Sequence, residues 1–148
     1  MRGHLALLIL PLLLGSCSRY VELSAIFIDG RLGFVAKDGG AVDCVQLLGV
    51  DDAETGELMW EAGDPGSGSC LSALPILYGQ AVPRITQAAK PLKPDRSYQV
   101  SGSASDGTSL SGRFRISRAL AWRVEDLPEE PTDFRAPQDL LANESNPQ

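Results

Sequence analysis

Between residues 20 and 117, apolar and polar positions alternate over short stretches, and none holds a helical period for ten residues. Period two places every second side chain on one face of a strand. Tyr20–Ile28 and Arg31–Ala36 are rich in β-branched and aromatic residues and read as strands joined by the hairpin pair Asp29-Gly30. Asp38-Gly39-Gly40 marks a second turn, residues 42–50 a third strand, 53–56 a turn and 57–62 a fourth strand. Residues 63–69 (GDPGSGS) read as a flexible loop. A fifth strand is expected over 70–78, at an edge or bulged because Pro75 interrupts it. Residues 82–94 contain three prolines and read as irregular. Ser97–Ala104 and Ser109–Ser117 form the final pair around Asp106-Gly107. Their alternation is the cleanest: Tyr98, Val100, Gly102 and Ala104 share one face, as do Leu110, Gly112, Phe114 and Ile116.

About seven short strands with turn signals every 8 to 12 residues predict an all-β chain, a small antiparallel β-sandwich over residues 20–123. A small β-barrel is the alternative. Residues 124–148 are acidic, carry four prolines and show no sustained period, so they read as a disordered tail. Within it Phe134 and Leu140-Leu141 read either as a docking motif or as isolated apolar positions. One segment sharpens the fold reading. Leu92-Lys93-Pro94-Asp95-Arg96-Ser97-Tyr98 resembles the tyrosine corner of fibronectin type III domains. The resemblance implies an immunoglobulin- or fibronectin-like sandwich in which the Tyr98 hydroxyl bonds backbone a few residues upstream. Leu92 and Pro94 would flank it. The early Asp-Gly hairpin departs from the usual pattern of that family.

The first seventeen residues have another character. Arg2 precedes ten apolar residues from Leu5 to Leu14, too few for a helix to cross about 30 Å of hydrocarbon. They fit the apolar region of an export signal. The run closes as Leu14-Gly15-Ser16-Cys17, which resembles the lipobox of bacterial lipoproteins. That resemblance implies a signal peptide over residues 1–16, cleavage before Cys17 and acyl chains on its thiol and amine. Two or more chains hold a protein on a membrane where one does not. It also implies a bacterial envelope address. Ser18, as a residue other than Asp, points by the enteric sorting rule to the outer membrane, facing the periplasm. An ordinary secretory signal with an incidental cysteine is the alternative. Residues 17–19 would form the lipidated tether, so the domain is expected close to the headgroups, with the acidic tail at the far end.

Composition then removes chemistry. Of 148 residues 43% are apolar and 22% charged, with net charge −6, which disfavours a nucleic-acid partner. The sole histidine, His4, lies in the segment expected to be removed, which excludes His-based nucleophilic catalysis and His-ligated metal. No cofactor is expected. Cys44 and Cys70 would sit in an oxidising compartment, where a structural disulfide is the preferred reading over a redox pair or two buried thiols. Eight acidic residues fall between Asp38 and Asp64, and Asp51-Asp52-Ala53-Glu54 reads as a solvated turn before it reads as a calcium loop. Basic residues gather late, at Arg84, Lys90, Lys93, Arg96, Arg113, Arg115, Arg118 and Arg123. A charged edge that deters aggregation is the simpler reading, and a patch for an acidic partner the functional one. Trp60 and Trp122 read as packing residues.

These readings converge on a non-enzymatic envelope lipoprotein, held to the membrane by lipid, that binds or scaffolds an envelope protein or polymer. The alternative is an accessory enzyme acting on cell-wall or glycan substrates with paired carboxylates. A third is an inhibitor or chaperone that adds a strand at an open edge.

Overall fold

The computed structural model describes residues 19–118 and 123–129. Those residues form nine strands and no helix: β1 (Tyr20–Ile28), β2 (Arg31–Ala36), β3 (Val45–Asp52), β4 (Leu58–Gly63), β5 (Ile76–Leu77), β6 (Ile85–Gln87), β7 (Ser97–Ala104), β8 (Ser109–Ser117) and β9 (Arg123–Leu127). They make one mixed sheet in the order β5-β2-β1-β8-β7-β3-β4-β6, curled into a half-barrel, with β9 joined to β8.

Local chemistry explains the first hairpin. Asp29 and Gly30 both take positive φ, 48° and 76°, the twist that a two-residue turn needs. The turn sets Ile28 opposite Arg31 and Ala25 opposite Phe34. β7 and β8 pair over their length, with Val100 opposite Gly112. Their expected inner faces are the ones that Tyr98, Val100, Leu110 and Phe114 bury.

At β1 the curling goes with a close backbone approach. β1 runs parallel to β8 only at Tyr20↔Ser109, Val21↔Leu110 and Glu22↔Ser111. It then leaves that edge, and the Leu23 carbonyl passes over Gly112, where a Cβ would lie 2.3 Å from the oxygen. Only a residue without a side chain admits the crossing. β2 is thereby brought over the inner face of β8. Phe34 meets Phe114 at 5.6 Å between ring centres, and Phe114 stacks on Tyr98 at 5.6 Å. The far edge closes through side chains. Tyr78, just after β5, meets Trp60 on β4 at 5.5 Å, and its hydroxyl lies 2.8 Å from the Lys90 carbonyl and 3.1 Å from that of Met59. Trp60 is fully buried in this core.

Several expectations are corrected. The strands are not all antiparallel, because β1 and β8 pair in the same direction. The third and fourth strands sit slightly later than expected. The fifth shrinks to Ile76–Leu77, since Pro75 and the Cys70 loop break the ladder and leave only an isolated bridge from Ser72 to Val45. Ile85–Gln87, expected irregular, pairs with β4. Strand structure also runs past residue 123, through Leu127. Val124 sits opposite Ile116, and Glu125 pairs with Arg115 at 2.7 Å, so alternation outweighs acidic composition there.

Candidate functional site

Strand direction sorts the loops into two ends. Residue 19 enters the sheet at one, together with the loops over 37–44, 64–75 and 105–108 and residues 128–129. The opposite end carries the Asp29-Gly30 turn, the loop over 53–57, the segment over 88–96 and residue 118.

At the entry end the Arg19 carbonyl already accepts a hydrogen bond from the Ser109 N–H, at 2.9 Å. The Tyr20 hydroxyl donates to Glu129 Oε1 at 2.6 Å, and Ser111 Oγ donates to the same oxygen at 2.7 Å. These donors hold the Glu129 carboxyl below its usual range. Desolvation, then the bond to Glu129, pushes the Tyr20 phenol up to about 12. The acidic segment therefore leaves the domain beside residue 20, not at the far end as expected. Arg19 faces Asp106 at 3.6 Å across a polar-rimmed cavity of about 230 Å³ that Val21, Val42 and Ala104 also line. Asp126 seals the fork between β1 and β9, accepting from Ser24 Oγ at 2.6 Å and Ala25 N at 3.0 Å.

Cys44 and Cys70 are bonded to each other at this same end, with Cα atoms 5.0 Å apart. The bond ties the segment before β3 to the loop after β4.

At the opposite end the segment that resembles a tyrosine corner is fastened to the sheet. The Lys93 N–H donates to the Tyr98 hydroxyl oxygen at 2.7 Å, and that oxygen lies 3.3 Å from the Lys93 carbonyl. Leu92 packs against the core and Pro94 is half-buried beside it. Asp95 takes φ 61° and donates its N–H to the Ile116 carbonyl at 2.8 Å. Arg96 reaches back to Asp52, Nε to Oδ2 2.9 Å, and to Glu54 at 3.4 Å. Asp52 also accepts the N–H groups of Glu54 and Thr55, at 2.9 and 3.0 Å. Arg96 and these amides hold the Asp52 carboxyl below its ordinary range. The acidic turn thus pairs with part of the late basic group: Arg96 with Asp52 and Glu54, and Lys90 with Glu57 at 2.9 Å.

Ile26 and Phe27 stand exposed at this end, at 40% and 43%. The sequence held a signal for them. Four apolar residues in a row, Ala25 to Ile28, cannot all face one core from a strand. Asp126 and Tyr78 were missed because their partners are 101 and 12 or more residues away. On the outer face, Asp51 and Glu61 border a shallow cavity of about 290 Å³ with Gly49 and Ser101, and burial raises the Asp51 carboxyl.

Among the described residues no group of three or more His, Cys, Asp or Glu could hold a metal ion. Cys17, Trp122, Phe134, Leu140 and Leu141 lie outside the described residues. Set against protein-family models, curated proteins and solved structures, the chain matches none.

Proposed function

We propose that the chain is a lipid-anchored envelope protein whose domain binds or scaffolds another envelope component and catalyses nothing. The observation that carries this reading is the entry geometry. Arg19 is already bonded to β8, so only Ser18 and Arg19 separate the lipobox cysteine from the sheet. Two residues reach roughly 7 Å. A lipid on Cys17 would hold the entry end at the headgroups and turn the hairpin end outward, about 30 Å away along β1. Partner contact then falls on that outward end. The sandwich reading of the fold is supported by β1 crossing from the edge of β8 to its inner face, by Phe34 opposite Phe114, and by the Tyr98 hydroxyl on Lys93. Membrane fractionation tests the anchor. Wild-type protein is cleaved before residue 17 and stays with the membrane after a high-salt wash, whereas Cys17→Ser protein carries no acyl chain and keeps residues 1–16. A Cys17→Ser form that is still cleaved there and is retained equally would refute it.

A second reading has one observation in its favour. Asp51 and Glu61 share a cavity, and a carboxyl raised by burial suits a general acid. Cell-wall glycan cleavage that disappears in Asp51→Asn would establish it, and absence of cleavage by the wild type would end it.

A further inference from the structure

Beside the charged loops of the hairpin end, Ile26 and Phe27 form a small exposed apolar patch on a strand edge that is open among the described residues. Beyond Glu22, among the described residues, β1 pairs with β2 alone. Its odd-numbered residues turn their backbone away from β2. Arg19 gives its carbonyl to Ser109, and Ala25 gives its N–H to Asp126. Phe27 is the next in that series, above the point where Asp126 seals the fork. Ile26 and Phe27 expose their side chains beside it, and Ile28 and Leu77 are only half-buried. Charges of both signs surround this edge, Asp29 in the turn and Asp126 at the fork as well as two arginines. Arg31 is paired with Ile28, and Arg123 begins β9 three residues toward the hairpin end from Asp126.

We propose that the segment 139–144 of the same chain seats here, Leu140 and Leu141 against Ile26 and Phe27, with Asp139 and Glu144 toward Arg31 and Arg123. Two observations select this occupant. The first is reach. The chain leaves the described sheet at Glu129, fixed beside Tyr20 at the entry end. The nine residues of β1 separate that point from the hairpin by about 30 Å. Ten extended residues, 130–139, cover about 35 Å, which delivers Leu140 to the exposed edge. The second is charge. Residues 130–148 carry four acidic side chains against Arg135, and the only adjacent leucines after Leu48 lie between Asp139 and Glu144. The carboxylates on either side of the leucine pair match the two arginines, Arg31 and Arg123, that lie among the charges around this edge. The seat does not depend on lipid at Cys17.

Hydrogen exchange on the full chain tests this. In Leu140→Ser/Leu141→Ser protein, the Phe27 amide exchanges about tenfold faster than in wild type, while amides of β3 and β7 are unchanged. Asp139→Lys/Glu144→Lys protein shows the same local acceleration. Unchanged exchange at Phe27 in the leucine variant overturns the proposal. Protection that fades on dilution also overturns it, because a second copy would then be supplying the segment.

Discussion

The phenols of Tyr20, Tyr78 and Tyr98 all lie in settings that disfavour their anions. Desolvation is the largest cause at each, and it moves Tyr20 and Tyr78 from 10 to about 12 and Tyr98 upward. A raised folded-state value means that the unfolded chain loses its proton first. The contribution to stability is therefore complete below about pH 10 and is lost as pH climbs toward 12. Ultraviolet titration of the folded protein is expected to show almost no tyrosinate at pH 10. A full equivalent at that pH would show that one of these environments is wrong. Asp52 has the opposite sign. Its carboxyl is depressed, so its contribution is present above the ordinary carboxylate range and disappears as pH falls below it. Denaturant unfolding should find Asp52→Asn less stable than wild type at pH 7, with a smaller loss between pH 7 and pH 3. Tyr98→Phe removes the oxygen that receives the Lys93 N–H and leaves a donor short of a partner. The expected cost is about 1–3 kcal/mol, read as a shifted denaturant midpoint with unchanged slope.

Between elements, two glycines that look alike in sequence differ in consequence. A Cβ at Gly112 would sit 2.3 Å from the Leu23 carbonyl, whereas one at Gly49 would meet nothing closer than 3.5 Å. Gly112→Ala is expected to destabilise by about 1–3 kcal/mol. Gly49→Ala should be neutral or stabilising by up to about 1 kcal/mol, because the added methyl restricts the unfolded chain. Equal effects at the two positions would contradict the crossing of β1 over β8. The Cys44–Cys70 bond spans 26 positions, and replacing both cysteines with alanine should cost about 3.5 kcal/mol on the loop-entropy account. The paired elements β1–β2 and β7–β8 were legible because a local turn sets each register. The parallel contact of β1 with β8 was not, since it joins residues 89 apart and nothing local encodes it. β9 was hidden by its composition. Its acidic residues read as tail, while the features that make it a strand are Val124 opposite Ile116 and Glu125 against Arg115, both dependent on β8.

For the whole molecule, the central matter is orientation. Residues 19 and 129 meet at one end, the disulfide reinforces that end, and the exposed apolar pair Ile26 and Phe27 lies at the other. The expectation that the acidic segment starts at the end far from residue 19 failed because it rested on chain order. The path of β9 back toward Tyr20 reverses it. If Cys17 bears lipid, tether and acidic segment both start at the headgroups, and the hairpin end is what the compartment meets. Intact-mass spectrometry of the protein extracted from its native membrane tests this most directly. The account predicts a chain beginning at Cys17, heavier than its sequence by the mass of acyl groups and lighter by two hydrogens for the Cys44–Cys70 bond. A chain beginning at any other residue, or one beginning at Cys17 with no added acyl mass, would contradict it.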